Sequence, residues 1–217
     1  METLEMMPVR IRIAAIVRKA IYSGEYKSGD ELSLTDIAAQ LGVSRTPVRE
    51  AFQELEGEGL ITLRMNKGAV VNTVDRKFIR DIFEMRMLLE AEAARRAAEK
   101  GMDKKMLEAL LGRLYNLREH IGAADTAEYT ALNQAVHQAV WQAADNRLLT
   151  VCLLRMWNGP SVGRGQDAAA DHYRHSTDEH ISILESIRDR NAEEAKNAML
   201  RHIGRSMENM LAYYPET

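Results

Sequence analysis

Residues 41–50 read Leu41-Gly42-Val43-Ser44-Arg45-Thr46-Pro47-Val48-Arg49-Glu50. Gly42 favours the left-handed backbone conformation that commonly ends a helix, and Ser44 is a good N-cap for the helix that follows. Arg45 and Arg49 are one helical turn apart, so both guanidinium groups project from the same face. The stretch predicts the turn and the recognition helix of a helix-turn-helix.

The sequence around this stretch completes a small module. A short helix, capped by Ser33 or Thr35, is expected before the turn, and residues 24–32 are expected to form a loop. Two β-branched runs flank a polar tip at 64–68, which predicts a hairpin. Three helices followed by a hairpin form a winged helix-turn-helix, in which the hairpin is the wing. The predicted elements are helices at about 9–23, 35–41 and 45–56, and strands at 60–63 and 69–71.

The rest of the chain has a different character, because apolar residues there follow helical spacing and no strand is indicated. A glycine-containing segment at 159–165 is expected to form a loop. The sequence therefore predicts a mainly α protein with two domains, a winged helix-turn-helix at 1–74 and an all-α helical bundle at 75–217. The predicted helices of the bundle are at about 78–100, 103–122, 126–144, 146–157, 176–190 and 192–213.

Composition limits the class of protein. The 217 residues carry a net charge of −3 and a single cysteine, Cys152, whose apolar neighbours predict a packed thiol. No apolar run approaches the ~18 residues of a membrane helix, and no signal peptide is recognisable. We therefore expect a soluble, cytoplasmic protein with no membrane partner.

Double-stranded DNA is the partner that the first domain predicts. Arginine suits bidentate contact with guanine, so Arg45 and Arg49 are candidates for reading bases. The hydroxyls of Ser44 and Thr46 lie at a helix N-terminus, where phosphate is favoured. The wing residues Lys67 and Gly68 are placed to approach a phosphate or the minor groove.

The charge of this domain is not basic overall, which restricts where DNA can bind. Residues 1–74 hold nine Lys and Arg against ten Asp and Glu. A local basic face is therefore required, with Arg64 and Lys67 joining the two helix arginines and with Glu54, Glu56 and Glu58 turned elsewhere. The alternative is a winged module that contacts proteins instead of DNA.

Three histidines of the second domain fall on apolar helix faces. These are His137, with Asn133 one turn before it, His180 and His202. An unpaired buried imidazole costs free energy, and the spacing places no acid well for all three. A divalent metal ion such as Zn or Ni would satisfy them, because neutral imidazole is a common ligand. The other histidines, His120, His172 and His175, are expected at the surface.

Residues 24–68 resemble the DNA-binding domain of GntR-superfamily transcriptional regulators. The resemblance is carried by the stretches 44–51 and 55–60. It implies that Arg45, Thr46, Arg49 and the wing glycine Gly68 contact operator DNA. Some relatives have an arginine in the second helix, where this chain has Leu34-Thr35-Asp36-Ile37.

The second domain resembles the ligand-binding FCD domain of the FadR-like branch. The resemblance is carried by Asn133-x-x-x-His137, Glu179-His180-x-x-Ile183 and Met199-x-x-His202. It implies that Asn133, His137, His180 and His202 hold a divalent cation, with Asn133 at a position that is Asp or Asn in metal-binding members and is a weaker oxygen ligand than Asp. It also implies that Arg86 lines an effector pocket, where a small carboxylate would bind both the arginine and the metal.

The sequence thus predicts a homodimeric, ligand-responsive transcriptional regulator, most often a repressor in this family, and not an enzyme. Two recognition helices of a dimer would bind a palindromic operator. Three alternatives stay open: a metal sensor without an organic effector, a purely structural metal site, and a metal-dependent hydrolase fused to a DNA-binding domain. The hydrolase ranks low, because the sequence places no recognisable general base beside the histidines.

Overall fold

The computed structural model describes residues 8–65, 67–120, 126–157 and 166–212. The chain divides into two compact units, of which the first extends to Ile79 and the second comprises Arg80–Ala212. The long helix α4, Arg76–Lys100, begins in the first unit and continues into the second. The two units are described separately below.

The first unit is a winged helix-turn-helix, as the sequence predicts. Its strands form an antiparallel sheet in the order β1-β3-β2, in which Leu32 pairs with Ala69 and Arg64 with Gly68. The last two residues of the predicted loop at 24–32 form strand β1 instead. Two residues are too few to show the alternation of polar and apolar side chains that predicts a strand. The elements are α1 Val9–Tyr22, β1 Glu31–Leu32, α2 Leu34–Leu41, α3 Arg45–Gly57, β2 Ile61–Arg64 and β3 Gly68–Val71.

The turn between α2 and α3 has the predicted backbone. Gly42 is left-handed, with φ of 64°, and ends α2. Ser33, rather than Thr35, caps the start of α2, because its side chain accepts a hydrogen bond from the Asp36 N–H. Ser44 occupies the N-cap position of α3, but its side chain makes no capping hydrogen bond within the described helix.

Glycine is required at the start of β3 for steric reasons. Gly68 has φ of 89°, a conformation that other residues rarely adopt. A Cβ at this position would lie 2.1 Å from the backbone oxygen of Leu32, in the neighbouring strand β1. The close approach of β1 and β3 therefore excludes any side chain here.

Two arginines of α1 form ion pairs with glutamates in or just after α3. One pair is buried and the other is partly exposed. Arg18 is buried and donates two hydrogen bonds, of 2.8 and 2.6 Å, to the carboxylate of Glu58. Arg10 donates one hydrogen bond of 2.9 Å to Glu54, and both side chains of this pair are partly exposed to solvent. Burial makes the loss of one partner costly, whereas exposed pairs contribute little.

We expect Arg18→Ala to destabilise the first unit by about 3 kcal/mol, because it leaves the Glu58 carboxylate mostly buried without its arginine. Arg10→Ala is the matched control, with an expected loss below about 1 kcal/mol. Hydrogen exchange of the amides of α3, measured by mass spectrometry on the full chain, checks both. Equal protection in the two variants would contradict this assignment.

The described residues of the second unit form helices joined by short turns, with no strand among them, in agreement with the predicted all-α bundle. No described helix is long and apolar enough to cross a membrane. After α4, the helices are α5 Lys104–His120, α6 Thr126–Ala143, α7 Arg147–Met156, α8 Gln166–Arg188 and α9 Ala192–Leu211.

Two expectations for this unit were wrong. Helix α8 begins at Gln166, ten residues before the predicted start, because residues 166–175 include three alanines and neither glycine nor proline. Cys152 is exposed on α7 instead of packed, because it lies with Leu148 and Val151 on the exposed side of this helix, whereas Leu149 and Leu153 are buried. The early start of α8 places His172 and His175 on a helix.

Candidate functional site

A groove of about 730 Å³ lies between the recognition helix α3 and the wing. Arg45, Arg49 and Gln53 line it at intervals of four residues along α3, and all three are exposed. Arg64 and Lys67 line it from the wing, and no acidic side chain is among its described lining residues. The complete described lining is Ser33, Leu34, Thr35, Arg45, Arg49, Gln53, Leu63, Arg64, Met65, Lys67 and Gly68.

Three acidic side chains near the C-terminal end of α3 are not among the described lining residues of this groove, and each accepts a hydrogen bond. Glu54 and Glu58 accept hydrogen bonds from Arg10 and Arg18 of α1. Glu56 accepts a hydrogen bond from the Leu63 N–H at 2.9 Å. An almost neutral unit thereby presents a strongly basic groove, and such a local field attracts the phosphate backbone of DNA.

Four of the predicted DNA-contacting residues line this groove, Arg45, Arg49, Lys67 and Gly68, whereas Ser44 and Thr46 are not among its described lining residues. Ser44 and Thr46 are exposed at the N-terminus of α3, where backbone N–H groups lack intrahelical partners. Gly68 lies at the base of the wing, beside the exposed Lys67. The sequence analysis missed Gln53, although its position one turn after Arg49 was a usable signal.

The three predicted histidines meet in the core of the second unit. His137 from α6, His180 from α8 and His202 from α9 are all buried, and their candidate ligand atoms lie within 4.8 Å of one another. The Nε2 atom of His137 is 3.2 Å from that of His202 and 3.4 Å from that of His180. Asn133 is buried on α6, one turn before His137.

Hydrogen bonds to the Nδ1 atoms of His137 and His202 determine which ring nitrogen carries the proton and which presents a lone pair to the cluster. The Nδ1 of His137 lies 2.6 Å from Glu90 Oε2, and the Nδ1 of His202 lies 2.7 Å from Glu179 Oε2. A carboxylate only accepts hydrogen bonds, so each Nδ1 carries the proton. In the neutral imidazoles both Nε2 atoms then present lone pairs to each other at 3.2 Å.

These distances fit a metal ion. Nitrogen ligands at 2.0–2.1 Å from a tetrahedral cation are about 3.3–3.4 Å apart, and facing lone pairs without a cation or proton between them repel. Burial lowers the pKa of His180 well below its usual value and also lowers the pKa of His202. Both rings are therefore kept in the neutral form that binds metals.

Two acids lie beside the histidines, contrary to expectation. Glu90 of α4 is fully buried, 47 residues from His137 in sequence. Burial alone would raise the pKa of Glu90, but His137 and Arg86 lower it well below its usual range. Glu179 behaves similarly, because hydrogen bonds from Arg205 and His202 outweigh burial and lower its pKa to about 2. Spacing along the chain could not reveal either contact.

Arg86 is buried at the edge of this cluster and is already paired. Its Nη2 donates a hydrogen bond of 2.7 Å to Glu90 Oε1, one turn later on α4. Its guanidinium carbon lies 5.3 Å from the ring centre of Phe83 and 5.9 Å from that of Trp157. This i,i+4 ion pair therefore lies in the interior of the unit, although such pairs usually lie on a helix surface.

The remaining histidines divide differently from expectation. His120 and His175 are exposed as predicted. His172 is buried, and its Nδ1 lies 3.0 Å from Arg205 Nη1 and 2.9 Å from Asn209 Nδ2. Burial, reinforced by the charge of Arg205, lowers the pKa of His172 to about 3. The expectation for His172 was wrong because α8 starts earlier than predicted.

Comparison with known proteins agrees with both units. Residues 10–71 match the family of bacterial regulatory proteins of the gntR type, and residues 81–205 match the FCD domain. The chain is 29% identical to the HTH-type transcriptional regulator YdhC of Bacillus subtilis, covering 89% of this chain and 87% of that protein. It is 28% identical to the HTH-type transcriptional repressor RspR of Escherichia coli, covering 90% and 86%.

A solved structure extends the similarity to the fold of the chain. The structure of E. coli McbR/YncC matches with a TM-score of 0.71 at 20% identity, covering 97% of this chain and all of that one. The matched families and relatives are regulators of transcription rather than enzymes, as the sequence predicted. The chain belongs to the GntR family of bacterial regulatory proteins, carries an FCD domain, and is a DNA-binding transcriptional regulator.

Proposed function

We propose that this regulator is a repressor whose FCD domain binds a divalent cation together with a small organic acid, and that this binding changes its affinity for operator DNA. The observation that carries the proposal is the pair of Nε2–Nε2 distances, 3.2 and 3.4 Å, among three buried imidazoles. His137, His180 and His202 would hold the cation, with Asn133 as an oxygen ligand. A bound cation supplies a Lewis-acidic positive charge to the site.

The charge of the surrounding residues favours an anion as the second ligand. Arg86 pairs with Glu90, and Arg205 pairs with Glu179, so these four side chains sum to zero. The three imidazoles and Asn133 add no charge when neutral. A divalent cation would bring two uncompensated charges into the interior, where burial of unpaired charge is costly. A carboxylate near Arg86 offsets that charge.

Operator binding is assigned to the basic groove. Arg45 and Arg49 would read base edges, whereas Ser44, Thr46, Lys67 and Gly68 would contact the backbone or the minor groove. One chain supplies one recognition helix, and a two-fold homodimer would place two on a palindromic site. Exposed apolar side chains on α4 and α7 are candidates for the contact between copies: Met85, Leu88, Leu148 and Val151.

One observation favours a second candidate, a metal sensor without an organic effector. The guanidinium of Arg86 is already neutralised by Glu90 at 2.7 Å, so an incoming carboxylate would compete with a buried acid for this group. In that case the cation alone would control DNA binding. The two candidates differ in a single measurable respect, the requirement for an anion.

The experiment uses the full chain and a duplex selected by the protein from random DNA. After chelation, operator affinity is measured by fluorescence anisotropy without metal, with Zn²⁺ or Ni²⁺, and with metal plus acetate, malate or citrate. We expect metal and one acid together to change the affinity by about 5–150-fold. A response to metal alone identifies the metal sensor. If neither addition alters DNA binding or the melting temperature, the sensing proposal is wrong, and an altered melting temperature alone indicates a structural metal site.

A further inference from the structure

Two arginine–glutamate–histidine relays flank the histidine cluster. In the first, Arg86 Nη2 contacts Glu90 Oε1, and Glu90 Oε2 contacts His137 Nδ1. In the second, Arg205 contacts both carboxylate oxygens of Glu179, and Glu179 Oε2 contacts His202 Nδ1. The relays use different helices, and they reach different members of the histidine cluster.

From this arrangement we propose that Glu90 and Glu179 are the positioning residues of the cation site. Each carboxylate holds one imidazole as the Nδ1–H tautomer with its Nε2 directed towards the other histidines. Neither glutamate would touch the cation itself. The inference rests on the proposed function, because it requires that the histidine cluster binds a metal.

Further donors fix the Glu90 carboxylate. The indole Nε1 of Trp141 donates a hydrogen bond of 3.0 Å to Glu90 Oε2, the oxygen that also accepts from His137. Arg86 occupies the other oxygen. Both oxygens of the carboxylate are engaged and the side chain is buried, so the carboxylate has one orientation available. Its hydrogen bond to Nδ1 then fixes the orientation of the His137 ring.

Glu179 is fixed through its arginine. Arg205 donates from Nε and Nη2 to the two oxygens of Glu179, each at 2.6 Å, which is the bidentate geometry of strong ion pairs. The Nη1 of the same guanidinium donates to His172 Nδ1 at 3.0 Å. The arginine is thus held on both sides, and it holds Glu179 against His202.

The two glutamates affect how strongly the imidazoles bind a metal as well as how the rings are oriented. A hydrogen bond from Nδ1–H to a carboxylate makes the opposite nitrogen a stronger donor to a metal, and loss of such a partner typically weakens metal binding by about 10–100-fold. Within the described part of the chain, His180 shows no hydrogen bond to a carboxylate. The effect is therefore expected at two of the three histidines.

The test compares Glu90→Gln and Glu179→Gln with controls on the same helices, Glu92→Gln on α4 and Glu185→Gln on α8. Both control glutamates are partly exposed and lie outside the relays. The dissociation constant for Co²⁺ is measured by competition with a chromophoric chelator, and the visible spectrum of the Co²⁺ complex is recorded. We expect binding about 10–100-fold weaker and an altered spectrum in both relay variants, with the controls unchanged.

The outcomes separate the inference from the proposed function. A wild-type chain that binds no Co²⁺ overturns both. A wild-type chain that binds Co²⁺, with relay variants of equal affinity and identical spectrum, overturns the inference alone. Melting in the presence of chelator reports folding, and Glu179→Gln keeps the test decisive if Glu90→Gln does not fold, because Glu179 and Arg205 are both partly solvated.

Discussion

Arg49→Ala is expected to weaken specific operator binding strongly while the fold survives. The arginine is exposed and lines the groove between α3 and the wing, so its removal leaves the core intact. One bidentate contact with a base is worth about 1–3 kcal/mol, and the proposed dimer would lose it twice. The expected decrease in affinity is therefore roughly 30-fold to 10⁴-fold. Fluorescence anisotropy with the selected duplex measures it, beside a scrambled duplex.

Arg10→Ala is the control for this change, because Arg10 is an exposed arginine of the same unit that does not line the groove. It removes one positive charge from the unit, as Arg49→Ala does, and should leave specific affinity within a few-fold of the wild type. Unchanged affinity of Arg49→Ala would mean that α3 is not the recognition helix. An equal loss in both variants would indicate a general charge effect instead.

His202→Ala is expected to weaken binding of the cation at least about 100-fold, because loss of a ligand should exceed the cost of losing an outer partner. The Nε2 atom of His202 lies 3.2 Å from that of His137, so the substitution removes one of the two candidate metal ligands that lie closest together. Glu179 keeps its two hydrogen bonds from Arg205 and is not left as an isolated charge. Elemental analysis after dialysis against Zn²⁺, with calorimetric titration, measures the loss.

The matched control is His175→Ala, since His175 is an exposed histidine of α8 outside the cluster. It should bind Zn²⁺ as the wild type does. The melting temperature of His202→Ala in chelator separates a lost ligand from a damaged core. Full Zn²⁺ occupancy in His202→Ala would remove this residue from the site, and the proposed organic acid response would then need another origin.

Local sequence rules accounted for most of the fold. The turn at Gly42 and the hairpin around the wing depend on residues a few positions apart, so they are readable from the chain. The start of α8 was predicted too late, although residues 166–175 include three alanines and neither glycine nor proline. Strand β1 exists through its pairing with β3, a contact between residues almost forty positions apart, which no local pattern encodes.

The sequence predicted the histidines of the candidate metal site but not the acidic residues that contact them. Apolar periodicity indicated that His137, His180 and His202 face inward, and the structure brings them together. The positions of the two glutamates beside them depend on how the helices pack. Glu90 lies on α4 and contacts His137 of α6, and Glu179 contacts His202 of α9 although it is next to His180 in sequence. The burial of Arg86 likewise follows from tertiary structure, because an arginine with a glutamate four residues later looks like a surface pair.

The crowding at Gly68 affects how mutational scans of the wing should be interpreted. A substitution there drives a Cβ into the carbonyl of Leu32, next to Ser33, which caps α2. Every replacement will displace the wing and the entrance of α2 together, so position 68 will score as intolerant whether or not its backbone touches DNA. Selection at position 68 therefore reports steric exclusion and carries no information about nucleotide contacts, whereas the exposed wing residues Arg64 and Lys67 can be replaced without this clash.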